Sequence, residues 1–121
     1  MPWTIILLTE VTEWFQSLET ATAEQVAAAL DLLEERGPAL GRPLVDTMQG
    51  SALAHLKELR PGSSGGSEVR ILFAFDPLRQ AILLTAGDKS GQWKRWYEIH
   101  IPLAEDRYRR WLAGEYAQEE P

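Results

Sequence analysis

The stretch that decides the fold is residues 69–86, VRILFAFDPLRQAILLTA. Its first half alternates with the period of a strand that has one strongly buried face, at Val69, Ile71, Phe73 and Phe75. The turn-forming residues of 76–79, DPLR, follow, and 80–86 is a second, nearly continuous apolar run. Because the turn between the runs is short, the sequence predicts an antiparallel hairpin.

Upstream of this hairpin, the sequence predicts one strand and two helices. Residues 3–8, WTIILL, form an apolar run typical of a strand, and Thr9 is suited to cap the next helix. One apolar stripe marks that helix, at Val11, Trp14, Phe15 and Leu18. A capping-box pattern, Thr22-x-x-Gln25, opens the second helix, which buries Val26, Ala29, Leu30 and Leu33. Gly37-Pro38 ends it, and the short connection predicts an antiparallel helical hairpin.

The remaining segments alternate between loops and regular structure. Residues 37–51 hold three glycines and two prolines and are predicted to be a loop, as are 61–67 and 87–91. Residues 54–60 are predicted to be a strand, and a last helix is predicted to begin at Pro102. Its inner face would carry Ala104, Tyr108, Trp111 and Leu112.

This order of elements indicates an α+β domain. We expect a small twisted antiparallel sheet with an N-terminal helical hairpin and a C-terminal helix, the helices packing on one face of the sheet. Residues 1–114 are predicted to form a single domain. Residues 115–121 are predicted to be an acidic, flexible tail.

Composition restricts the classes of function. The chain has 121 residues and no cysteine, which excludes disulfides, thiolate nucleophiles and cysteine-based metal sites. The N-terminus lacks a basic region and a cleavage site, and no apolar run is long enough to span a bilayer, so we expect a cytoplasmic protein. The net charge is −6, yet residues 57–112 hold ten basic and seven acidic side chains. A cationic working surface on an acidic body is one interpretation, and solubility is the other.

Four basic residues lie at the ends of the predicted strands: Lys57, Arg60, Arg70 and Lys89. An antiparallel sheet would gather them on or beside one concave face. Such a cluster suits a phosphate backbone, whereas scattered solvated charges are the alternative.

Four short motifs resemble a known family: LGRP (40–43), LKELR (56–60), VRILFAFDP (69–77) and AGDKSGQW (86–93). In this order and spacing, the chain resembles the HigB-like branch of the RelE/ParE toxin superfamily, phage-related proteins of type II toxin–antitoxin operons. The resemblance covers nearly the whole chain and implies a ribosome-dependent mRNA endonuclease, without cofactor or metal. It also implies a helix-turn-helix antitoxin encoded nearby, which links the toxin indirectly to operator DNA.

The resemblance implies metal-free cleavage by the 2′-hydroxyl, which needs a base, cations for the pentavalent phosphate and an acid. Arg70 matches the family's sheet arginine and is assigned to transition-state stabilisation, or else pairs with Glu58 across the sheet. Lys57 and Arg60 would bind phosphate or help to activate the hydroxyl. Lys89 would hold phosphate, and Tyr97 would donate a proton to the leaving group.

Mainly aromatic and basic residues after the last loop are candidates for RNA binding: Trp93, Lys94, Arg95 and Trp96. Aromatic rings can stack on splayed bases, but core packing is the alternative and is favoured for Trp96. Neither His55 nor His100 is chosen as an acid or base.

Two other functions stay open. The acidic pI, near 4.9, weakens attraction to RNA and favours a ParE-like gyrase inhibitor or a regulatory member that only binds its antitoxin. A phage structural or accessory protein is a third interpretation.

Overall fold

The computed structural model describes residues 2–62 and 66–116. Its elements follow in the order β1 (Thr4–Leu7), α1 (Thr9–Gln16), α2 (Thr20–Arg36), a 3-10 turn (Gly37–Ala39), β2 (Val45–Thr47), β3 (Lys57–Leu59), β4 (Val69–Phe75), β5 (Gln80–Asp88) and α3 (Trp93–Leu112). The α+β class is confirmed, and so is the central hairpin of β4 and β5.

The five strands form one sheet in the order β1-β5-β4-β3-β2. Neighbours from β2 to β5 pair antiparallel, whereas β1 runs parallel to β5, with Ile5 opposite Ala81. The expectation of a purely antiparallel sheet is therefore wrong at this edge. Two helices separate β1 from the rest of the sheet in the chain, which gives β1 the long connection that parallel pairing requires.

Each face of the sheet packs against helices. On one face, α1 and α2 cover the alternate residues Ile71, Phe73, Ala81 and Leu83 through Val11, Val26, Ala29 and Leu33. On the other face, α3 covers Leu72, Ala74, Ile82 and Leu84 through Trp96, Ala104 and Tyr108. The prediction that the helices share one face is therefore wrong. Burying each large apolar side chain contributes about 1.5–3 kcal/mol, so both cores are needed in a domain of this size.

A β-bulge shifts the phase of β5. Leu72 lies opposite Thr85 but Phe73 lies opposite Leu83, so Leu84 is the extra residue. As a result, Leu84 and Thr85 both face α3, and Gly87 does too.

Several boundaries differ from the sequence prediction. Helix α1 begins at Thr9 itself, with Leu8 at the N-cap, and α2 begins at Thr20, so neither predicted cap forms. Strand β2 lies inside the predicted loop, and β5 extends to Asp88, into the 87–91 loop. Part of the predicted 61–67 loop lies outside the described residues.

Helix α3 begins at Trp93, nine residues before the predicted start, and contains Pro102. Pro102 is exposed, so the backbone hydrogen bond that proline removes is lost on the solvent side of the helix. Of the predicted inner residues, Leu112 is exposed.

The packed domain extends beyond residue 114. Tyr116 is only 3% exposed and lies in the α3 core, where its hydroxyl faces the Glu10 carboxylate at 3.2 Å. Tyr116 therefore packs against the domain beyond the predicted boundary at residue 114, and the exposed Glu115 pairs with Arg110. Residues 117–121 lie outside the described residues.

Candidate functional site

A buried carboxylate occupies the centre of the candidate site. Glu58 lies on β3 and faces α3, as does Leu56 just before the strand, and none of the surface of Glu58 is exposed. Its Oε1 accepts a hydrogen bond of 2.8 Å from Arg60 Nε. Its Oε2 accepts a hydrogen bond from the Tyr97 hydroxyl. A fully buried carboxylate is costly unless it is paired, and these two donors provide the pairing.

Tyr97 connects this carboxylate to the surface. It lies in the second turn of α3 and is partly exposed. Burial and then the hydrogen bond to Glu58 raise the pKa of the Tyr97 phenol well above its ordinary value of 10.0. The phenol is therefore protonated at neutral pH, its proton directed at Glu58, and its oxygen can accept a further hydrogen bond.

Two cations flank Tyr97. Lys89 Nζ lies 5.3 Å from the centre of the Tyr97 ring. The guanidinium of Arg70, on β4, is near enough to oppose the rise in the pKa of Tyr97. Arg70 Nη1 donates to the Val69 carbonyl at 2.8 Å, but its buried Nε has no partner among the described residues. Buried donors without a partner are uncommon in folded proteins, and each one calls for an explanation.

The loop that carries Lys89 is braced by Asp88. Asp88 Oδ1 accepts from the backbone N–H groups of Glu68 at 3.0 Å and Ser90 at 2.9 Å. Hydrogen bonding, first from the Ser90 side chain, lowers the pKa of Asp88. The loop therefore holds Lys89 in a fixed position beside α3.

Arg60 also pairs with a second acid. Its Nη2 lies 3.4 Å from Asp46 Oδ2, on the edge strand β2. The Glu58 hydrogen bond raises the pKa of Arg60. Arg60 is thus committed to the two carboxylates, and it serves the site by fixing Glu58.

We call the five residues that converge here the Glu58 cluster: Glu58, Arg60, Arg70, Lys89 and Tyr97. Lys57 is not part of it. Lys57 lies opposite Phe73 in the sheet and on the face of Leu59, toward α1 and α2, and its Nζ lies 3.1 Å from Thr47 Oγ1. The expectation that the four cations gather on or beside one face of the sheet does not hold for Lys57, because neighbouring residues of a strand point to opposite faces.

The candidates for RNA binding separate by exposure. Trp93 is 62% exposed, and Lys94 and Arg95 are exposed. Trp96 is 4% exposed and stacks on His100 inside the α3 core, so its ring is not available to a base; the prediction of a stacking role is corrected to core packing. The cause is the early start of α3, which turns Trp96 inward.

A shallow groove of about 380 Å³ adjoins the Glu58 cluster. Trp93, Tyr97, Ile101 and Pro102 supply its apolar walls, and Lys94 and Glu98 its charges. We call it the Trp93 groove. Its size and mixed lining suit a flat ring with polar edges.

The residue that the sequence analysis missed is Glu58, which it considered only as a possible partner of Arg70. A signal was present in LKELR: Leu56 and Glu58 share one strand face, so an apolar neighbour marks Glu58 as inward-pointing. No group of three His, Asp or Glu side chains in residues 2–62 and 66–116 is arranged to hold a metal ion. Within the same residues, no helix is long and apolar enough to cross a lipid bilayer.

Comparison with known proteins places the chain in a family. Residues 13–109 match the family described as phage derived protein Gp49-like. A protein of Mycobacterium tuberculosis described as "Putative toxin HigB3" is 53% identical over 112 residues, which are 93% of this chain and 96% of that protein. A second, "Putative toxin HigB2" of the same organism, is 55% identical over 103 residues, 85% of this chain, but the match spans only 51% of that relative.

Solved structures agree on the fold. A free mutant of the Escherichia coli toxin RelE superposes with a TM-score of 0.58 at 12% identity, covering 77% of this chain and 90% of RelE. A chain of the RelBE2 toxin–antitoxin complex of Mycobacterium tuberculosis superposes with a TM-score of 0.55 at 19% identity. The match covers 73% of this chain and 99% of that chain. At these identities the likeness shows the fold alone. The sequence matches show that the chain belongs to the phage-derived Gp49-like family, with putative HigB toxins as relatives, and its fold is that of the RelE toxins.

Proposed function

We propose that this protein is the toxin of a type II toxin–antitoxin pair and cleaves mRNA on the ribosome, in the cytoplasm, by attack of a 2′-hydroxyl on the adjacent phosphate. The observation that carries the proposal is the hydrogen bond between buried Glu58 and the partly exposed Tyr97, flanked by Arg70 and Lys89. It combines a proton acceptor and two cations at one opening in the surface. The relationship to HigB3 supports the choice of toxin.

The acceptor works through Tyr97, because Glu58 is fully buried and cannot touch RNA. The 2′-hydroxyl gives its proton to the Tyr97 oxygen as the Tyr97 proton moves to Glu58. No free phenolate forms, which fits a phenol whose pKa is raised. The carboxylate ends protonated, the 2′-oxygen bonds to phosphorus, and the bond to the 5′-oxygen breaks.

The cations act on the phosphate. Arg70 is partly exposed, and its guanidinium stabilises the oxygens that gain charge in the transition state. Lys89, held beside Tyr97, supplies a second positive charge and the proton for the departing 5′-oxygen. Arg60 keeps the Glu58 carboxylate in place. The exposed groups Trp93, Lys94 and Arg95 would bind the neighbouring nucleotides.

An antitoxin is the expected protein partner, since one solved neighbour is a toxin–antitoxin complex. An antitoxin that covers the Glu58 cluster would have to bring acidic or apolar groups to Arg70 and Lys89. Through the helix-turn-helix domain of such an antitoxin, the complex would bind operator DNA.

The test is to induce the gene without its neighbour in bacteria and to map transcript 5′ ends as growth slows. We expect new ends inside translated codons, lost when translation is blocked. Glu58→Gln keeps the shape of the side chain but removes the acceptor, and should reduce cleavage about 10²–10⁴-fold. Glu105→Gln is the matched control, since Glu105 is a hydrogen-bonded carboxylate on α3 bound to Ser51.

A second candidate function rests on the net charge of −6, which opposes binding to ribosomal RNA. It is a non-nuclease role, as a gyrase inhibitor or a regulatory member that binds its antitoxin. Growth arrest with intact transcripts and broken DNA would favour the first form, and a folded protein without arrest would favour the second.

A further inference from the structure

A second polar groove lies on the opposite side of the sheet edge from the Glu58 cluster. It has a volume of about 240 Å³ and lies between the 3-10 turn and strands β2 and β3. Two basic side chains and a hydroxyl line it, those of Arg42, Lys57 and Thr47. We call it the Lys57 groove. It contains Lys57, which the Glu58 cluster does not use, and part of the LGRP motif, to which the proposed chemistry gives no role.

The basic side chains of this groove are held in place by contacts that leave some of their N–H groups available to a ligand. Lys57 Nζ donates to Thr47 Oγ1 at 3.1 Å, which leaves two of its three protons for other acceptors. Arg42 is 79% exposed and touches Asp46 Oδ2 at 3.2 Å through Nη2. The rest of its guanidinium faces solvent.

The one carboxylate in the groove is already neutralised. Asp46 Oδ2 contacts Arg42 at 3.2 Å and Arg60 at 3.4 Å, and Asp46 Oδ1 accepts the backbone N–H of Thr47 at 2.9 Å. Arg42 balances Asp46 and Arg60 balances Glu58, and among residues 2–62 and 66–116 no carboxylate forms an ion pair with Lys57. The groove is therefore locally positive on a chain whose net charge is −6.

We propose that the Lys57 groove binds a backbone phosphate of the single-stranded RNA, outside the phosphate that is cut. The inference rests on the proposed function and extends it by a subsite. Asp46 joins Arg60 of the Glu58 cluster to Arg42 of this groove across the edge strand β2. An RNA strand that leaves the Glu58 cluster over this edge meets Arg42 and then Lys57.

Phosphate contacts in the Lys57 groove would offset the repulsion between RNA and a protein whose net charge is −6. Nucleic-acid affinity depends on the phosphates that are neutralised locally, and each contact adds to the salt dependence. An acidic segment of an antitoxin is the other ligand that two cations could take. The groove lies on the opposite face of β3 from Glu58, and a single RNA strand around one edge explains both sets of cations.

The experiment measures binding to ribosomes programmed with an mRNA that carries a 2′-deoxy nucleotide at the mapped cut, so that no cleavage occurs. The variant is Arg42→Ala with Lys57→Ala. We expect its dissociation constant to rise about 25-fold at ~0.1 M salt, and the slope of log K against log salt to flatten by about 1.4 for two contacts on a single strand. Arg42→Lys with Lys57→Arg should restore most of the binding.

A matched control removes the same charge elsewhere. Arg36→Ala with Arg109→Ala takes away two exposed cations, at the end of α2 and on α3, and should leave the slope unchanged. On cleavable mRNA at saturating protein, the Arg42/Lys57 variant should cut at the wild-type single-turnover rate.

Three outcomes would overturn the inference. The Arg42/Lys57 variant could bind with the same affinity and salt slope as the control variant. It could lose affinity for the antitoxin while ribosome binding stays intact, which would assign the groove to an acidic protein segment. It could bind normally but cut slowly, which would assign Lys57 to the reaction. If wild type binds but never cuts intact mRNA, the proposed function fails, and the salt slope alone still decides the groove.

Discussion

The hydroxyl of Tyr97 on α3 donates a hydrogen bond to Oε2 of Glu58 on β3, and this contact ties the C-terminal helix to the strand next to the β2 edge of the sheet. The two residues are 39 positions apart in the chain. The same hydrogen bond compensates for the burial of a carboxylate and aligns the proton path of the proposed reaction. We therefore expect changes at this pair to affect both stability and the proposed cleavage.

Tyr97→Phe should reduce both the free energy of unfolding and the rate of cleavage. Glu58 would keep only Arg60 as a donor, and leaving part of a buried carboxylate unsatisfied costs about 1–3 kcal/mol. Cleavage should fall by about 10²-fold or more, because the proton path is broken. Urea unfolding and the single-turnover cleavage rate measure the two effects.

Tyr108→Phe is the control that separates an effect on stability from an effect on cleavage. Tyr108 is on the same helix and donates to the Phe75 carbonyl at 3.1 Å, so its loss should cost about 1 kcal/mol without slowing cleavage. Equal loss of cleavage in both variants would mean that Tyr97 acts only through stability.

Arg70→Ala should abolish most of the cleavage while the fold persists. Arg70 is partly exposed, and its Nη1 donates to the neighbouring Val69 carbonyl, so stability should change by less than about 1 kcal/mol. The cleavage rate should fall about 10²–10³-fold, as expected when a donor to the developing charge is removed. Arg70→Lys should recover only part, since lysine lacks the fork. Arg109→Ala controls for loss of charge, and an Arg70→Ala protein that cuts normally would contradict the assignment.

His100 should make the fold sensitive to mild acid. Burial and then the charge of Arg107 hold the pKa of His100 below its ordinary value of 6.5. The pKa of His100 is about 6.5 in the unfolded chain and lower in the folded protein. At a pH between these two values the unfolded chain binds more protons, so the free energy of unfolding falls as pH drops below about 6.5. Urea unfolding at pH 7.5 and 5.5 should show this loss in wild type.

His100→Asn should remove this part of the pH dependence, whereas His55→Asn, at an exposed position, should retain it. The same slope in wild type and His100→Asn would show that another group is responsible.

Gly87→Ala should destabilise the domain. A Cβ at Gly87 would lie 2.7 Å from Nε1 of the buried Trp96, so the indole must shift within a packed core. Overpacking of this kind costs about 1–3 kcal/mol. Gly41→Ala is the control, because a Cβ there meets no atom within 4 Å. A shift in thermal midpoint for Gly87→Ala but not for Gly41→Ala confirms the expectation.

The sequence allowed the central hairpin and the stripes of α1 and α2 to be predicted, because their apolar periods are undisturbed. The predicted start of α3 is wrong, because Pro102 is a strong helix-start signal but lies in the middle of this helix on an exposed face. Tertiary contacts decide here: Trp96 packs under the sheet and brings the helix start forward to Trp93. Parallel pairing of β1 with β5 has no local signature either.

The candidate site was predictable in part. Basic residues at strand ends and the resemblance point to Arg60, Arg70, Lys89 and Tyr97, and the structure brings these four together around Glu58. A position at a strand end does not say which face of the sheet a side chain takes, and Lys57 takes the other face. Whether these residues cut RNA stays a prediction.

The bulge at Leu84 divides β5 into two segments of opposite phase. The segment before it, from Ala81 to Leu83, pairs with β1 and packs into the two hydrophobic cores. The segment after it is turned so that Thr85 and Gly87 face α3, on the side where Arg70 and Tyr97 meet. One inserted residue thus allows a single strand to follow two side-chain patterns, one that fills the cores and one that packs against α3 beside Arg70 and Tyr97.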